Sequence, residues 1–138
     1  MISVLGTTNK YILQPSLMEM HHKSLEWLSY SVLWKRELHF FQKLLDQHAN
    51  RFTELEDKKK IDHFQHIITY YKGEVVDDLR KKLKNNEHHL AEMLQKLNES
   101  DTEYFKENKI VLEEASSFAK TFNEFKHEFF EFIERVMK

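Results

Sequence analysis

The chain has no cysteine, one proline and two glycines in 138 residues. Without cysteine there can be no disulfide framework, no thiol nucleophile and no thiolate ligand for zinc or an iron–sulfur cluster. So little glycine and proline leaves material for few tight turns, which argues against β-sandwiches, barrels and Rossmann-type units, all of which turn often. No apolar run approaches the roughly 20 residues of a membrane-spanning helix. Met1-Ile2-Ser3-Val4-Leu5-Gly6 lacks the basic start and long apolar centre of a secretory signal, so the expected location is the cytoplasm. Neither sign of charge dominates, with 21 Lys and Arg against 23 Asp and Glu. The runs Lys58-Lys59-Lys60 and Arg80-Lys81-Lys82 are interrupted by Asp57, Asp62, Asp77 and Asp78. A nucleic acid or a membrane surface calls for a concentrated basic face, so neither is expected as a partner.

What is present is helical material: 41% apolar and 32% charged residues, enough to fill one core. Three capping-box patterns, Ser16…Glu19, Thr53…Glu56 and Ser100…Glu103, mark helix starts. Pro15 sharpens the first, because the residue before a proline is pushed out of helical conformation. The expectation is an all-α fold, an antiparallel bundle of three long helices at about 16–51, 54–98 and 101–137. They form a single domain over 16–138 behind an N-terminal tail, 1–15, whose clusters Ile2-Val4-Leu5 and Tyr11-Ile12-Leu13 suggest docking. The alternative is four helices, with a break at Asn85-Asn86, since asparagine is a good cap.

Apolar periodicity supports these helices. In the last, Tyr104, Asn108, Val111, Ala115, Phe118, Phe122, Phe125, Phe129, Phe132 and Val136 recur at steps of four and three, a heptad seam. The first repeats the rhythm through Leu17, Met20, Ser24, Trp27, Ser31, Trp34, Leu38, Phe41, Leu45, His48 and Phe52. The middle stripe reads Ile61, Phe64, Ile68, Val75, Leu79, Leu83, Leu90, Met93 and Leu97, with Gly73 an isolated cost that a long helix absorbs.

Nine histidines in an all-helical chain raise the question of a metal. The pairs Glu19…His22 and Glu124…His127 have the Glu-x-x-His spacing of di-iron bundles, whose ligands must point inward. At about 100° per residue both pairs fall on the flank or back of their helices. His63 and His66 lie opposite the apolar stripe, and His88-His89 with Glu92 is a surface pattern of the same kind. His48 stands on the seam, and its expected role is a core-edge histidine satisfied by a carboxylate or a carbonyl. No metal and no cofactor are therefore expected. A metal-binding bundle using His48, His63, His66, His88 or His89 is the alternative function.

Nor does the chain carry a glycine-rich phosphate loop, a nucleophile elbow or a persuasive Ser–His–Asp set, so enzyme activity is not expected. The remaining signal is surface. Leu33, Phe40 and Leu44, with Tyr30, form a second apolar row on the back of the first helix. A helix apolar on more than one side must be covered by the tail, by a neighbouring helix or by another molecule. These four residues are the candidates for contact with a protein partner or, most simply, with a second copy in a homodimer.

Overall fold

The computed structural model describes residues 15–96 and 102–137. The expectations for the N-terminal tail, for Leu97 and for the cap at Ser100 lie outside them. Among the described residues all regular structure is helical, and three helical stretches pack against each other as an all-α bundle. The first, α1, covers Pro15–His48 and closes with one 3-10 turn, Ala49–Arg51. The second begins as α2, Leu55–Tyr70, passes through a π-helical turn at Tyr71–Val75 and continues as α3, Val76–Gln95. The third is α4, Thr102–Glu134.

The helix starts lie close to the expected positions but are built differently. Pro15 is itself the first residue of α1. Its ring pre-sets the helical φ, and its missing N–H is one that a first turn leaves unpaired anyway. Ser16 therefore sits inside the first turn and is not the cap. At α2 the capping position belongs to Glu54, with φ −72° and ψ 141°, and no side chain caps it. Its carbonyl accepts from the Lys58 N–H at 3.0 Å, while Glu56 and Asp57 place negative charge where the helix dipole favours it.

The middle stretch does not break at Asn85-Asn86, which corrects the four-helix alternative: α3 runs through both residues. The irregularity falls at the π turn instead, and the apolar pattern explains it. Counting forward from Ile61 by threes and fours gives Phe64, Ile68, Tyr71 and Val75. Counting back from Met93 gives Leu90, Asn86, Leu83, Leu79, Val76 and Lys72. The two series are one residue out of step, and a π turn inserts one residue into the helical ladder. Accordingly Val76 is buried while Val75 is only half-buried, reversing the expected order.

The described residues gather into two compact units, 15–30 with 79–96 and 102–115, and 31–78 with 116–137. In the first, Leu17, Leu90, Met93 and Tyr104 form a buried cluster with Met20, Leu94 and Phe105 packed on it. One turn further along, the core turns polar. Asn108 Nδ2 donates to Asn86 Oδ1 at 2.8 Å and to Ser24 Oγ at 3.3 Å, and all three side chains are buried. One residue from each helical stretch thus meets in a satisfied layer that fixes their register, as a buried asparagine does in a coiled coil.

The second unit is aromatic. Trp34 meets Phe118 and Phe122, Phe41 meets Phe122, Phe125 and Phe129, and Phe52 stacks on Phe132 at 4.2 Å. Numbers rise together in these pairs, so α1 and α4 run parallel. Phe64 meets Phe129 and Phe132, whereas Tyr71, seven residues later, meets Phe118 and Phe122, so α2 runs against α4. The π turn begins at Tyr71 and sets its ring edge-on to Phe118, 5.0 Å away. Each such pair adds about 0.5–1.5 kcal/mol beyond simple burial.

Candidate functional site

The back row of α1 divides in the structure. Leu33 and Phe40 lie open, 50% and 52% exposed, whereas Leu44 is 7% exposed and belongs to the core. Leu44 is thus covered within the chain, where the sequence placed it on the surface. The edge of the aromatic core supplies a residue that the sequence reading missed. Phe130, 38% exposed, sets its ring edge-on to Phe41 at 5.3 Å. The doublet Phe129-Phe130 was the available signal, because the α4 seam needs only Phe129 and leaves Phe130 outside it.

Between these apolar side chains lies an ion pair. Lys126 Nζ donates to Glu37 Oε2 at 3.1 Å, with both side chains about three-quarters buried, and the same ammonium stands 4.9 Å from the centre of the Phe122 ring. Glu37 Oε1 is buried without a hydrogen bond among the described residues. Glu37 lies one turn from both Leu33 and Phe40, and Lys126 one turn before Phe130. The face of the second unit made by α1 and α4 therefore has an apolar rim around a partly buried charge pair.

Tyr30, in the first unit, is 51% exposed with its ring 5.5 Å from that of Trp27. Also in that unit, polar groups link the helices. His21 of α1 pairs with Glu87 of α3, and His89 of α3 pairs with Glu107 of α4 at 2.9 Å. Burial pushes the Glu87 carboxyl above its ordinary pKa, and the adjacent His21 draws it part of the way back. Burial, with the Glu87 charge nearby, pushes the Tyr104 phenol up to about 12.

The ring Nδ1 of His48 lies 2.9 Å from the Leu44 carbonyl, the bond expected of a core-edge histidine. His63 and His66 are exposed, with the His63 ring beside Phe64. His88 is exposed and lies 3.9 Å from Glu92. His88, His89, Glu92 and Glu107 all line one open groove of about 630 Å³ between α3 and α4. Among the described residues no three His, Asp or Glu side chains are arranged to hold a metal ion, and no helix is long and apolar enough to cross a membrane.

Comparison with protein-family models, with curated proteins and with solved structures finds no match. The geometry of the chain alone must carry the functional reading.

Proposed function

We propose that this chain is a non-enzymatic interaction protein of the cytoplasm, a helical bundle that binds a protein partner, itself included, through the α1–α4 face of its second unit. The observation that carries the reading is the row Leu33, Phe40 and Phe130, half open to solvent and gathered around the Glu37–Lys126 pair. Single exposed apolar residues are ordinary on any surface. Two large ones at helical spacing on a helix whose opposite face already fills a core, with a third beside them on the adjoining helix, support reading this face as an interaction surface.

The test is gel filtration of extract from the source cells. The chain elutes well above its own 16.8 kDa, and the variant Leu33→Glu with Phe40→Glu elutes as a free helical monomer. Elution of the unaltered chain as a monomer would overturn the reading. Circular dichroism of the variant separates loss of contact from loss of fold.

A further inference from the structure

The charges beside the apolar row are sorted by helix. On α1, Arg36 lies one turn from both Leu33 and Phe40, and Lys43 lies one turn beyond Phe40. On α4, Glu134 lies one turn beyond Phe130, with Glu131 beside it. All four are exposed, and among the described residues none of them is engaged in an ion pair. This contrasts with Glu37 and Lys126, which neutralise each other inside the row. The face thus has a basic outer edge along α1 and an acidic outer edge along α4.

Because α1 and α4 are parallel, heights on the two helices can be matched. Glu37 is level with Lys126, and Phe41 with Phe129 and Phe130, so Lys43, two residues on, is level with Glu131 and Phe132, and Glu134 follows within the next turn. Two copies can bring this face together about either of two axes. A two-fold axis parallel to the helices lays each α1 over the other copy's α4 at equal height, so the basic edge meets the acidic edge. A two-fold axis across the helices lays α1 over α1 and α4 over α4, setting Arg36 and Lys43 against their own kind and the glutamates against theirs. Like charges facing each other suppress an arrangement, and opposite charges select it.

We propose that the occupant of the row is a second copy of this chain, in a parallel two-fold dimer. Leu33, Phe40 and Phe130 of both copies pack together in it, and Lys43 of each copy meets Glu134 of the other. Self-complementarity is what a closed two-fold interface requires, since the same patch must serve as both surfaces. The inference rests on the interaction reading given above and names the partner.

Sedimentation equilibrium on the purified full chain tests it. The unaltered protein should sediment at twice 16.8 kDa. Lys43→Glu and Glu134→Lys should each weaken association by about tenfold, and the double variant should recover most of that loss, the signature of a direct pair. Since the chain has no cysteine, mixing Lys43→Cys with Glu134→Cys protein should give a disulfide-linked heterodimer on mild oxidation. A monomer at roughly 100 µM, far above the dissociation constant of a specific interface, overturns the inference. So does a dimer indifferent to both charge reversals. A purified monomer alongside a larger complex in extract that needs Leu33 and Phe40 would remove the dimer while leaving the interaction reading intact.

Discussion

Asn108 donates its side-chain amide to the Asn86 carbonyl oxygen at 2.8 Å, with both side chains sealed from solvent. A buried amide of this kind contributes little net stability while paired and is costly when its partner is removed. Asn108→Ala leaves the Asn86 carbonyl oxygen without this donor and should destabilise the fold by about 1–3 kcal/mol. Replacing both by leucine should cost less than either single change, because no polar group is then stranded. Urea unfolding of the three variants checks this non-additivity.

Gly73 lies in the π turn, and a Cβ there would meet nothing within 4 Å. If the turn exists to correct the phase between Ile68 and Val76, glycine is not what makes it. Gly73→Ala should therefore raise stability by about 0.5–1 kcal/mol, the usual gain from relieving a helix of glycine. A loss of stability would show that the turn needs glycine.

The seams of α1 and α4 were legible in the sequence because heptad spacing is a purely local signal. Every expected α4 position from Tyr104 to Phe132 is buried. In α1, Leu17, Ser24, Ser31, Trp34, Leu38, Phe41 and Leu45 are buried as well, as is Phe52 just beyond it. Asn86 misled because asparagine caps helices and fills polar layers equally well, and only its meeting with Asn108, 22 residues away, decides between the two roles. Val75 and Val76 differ by a single step of phase, visible only when the stripe is counted from both ends. Leu44 and Phe130 are matters of packing: whether an off-seam residue is covered depends on the neighbouring helix. The candidate row was thus half legible, with Leu33 and Phe40 readable and Phe130 not.

Glu87 responds to pH in a defined direction. Its carboxyl is raised above the ordinary value by burial, so its ionisation favours the unfolded chain. This contribution to stability is full at low pH and is lost as pH rises through the raised value. Glu87→Gln should accordingly melt a few degrees higher than the unaltered protein at pH 7.5, with the gap closing toward pH 4. Thermal melts across that range measure it.

Asp57 responds in the opposite direction. Arg135 grips it with two hydrogen bonds, at 3.0 and 2.9 Å, and holds its carboxyl below the ordinary value. The resulting stabilisation is present above the ordinary aspartate pKa and lost as pH falls through the lowered one. Arg135→Gln should lower the melting temperature at neutral pH and lose less than the unaltered protein on acidification. Parallel curves for the two proteins would contradict the assignment.

On the proposal made above, the α1–α4 face of the second unit is where this chain meets another protein. Photo-crosslinking in living source cells addresses it most directly, with a light-activated phenylalanine derivative at position 40 and, as control, at the exposed position 58. A discrete crosslinked protein species should form from position 40, be lost in the Leu33→Glu variant, and be absent from position 58. Equal labelling from both positions, or no protein adduct from position 40, would contradict it.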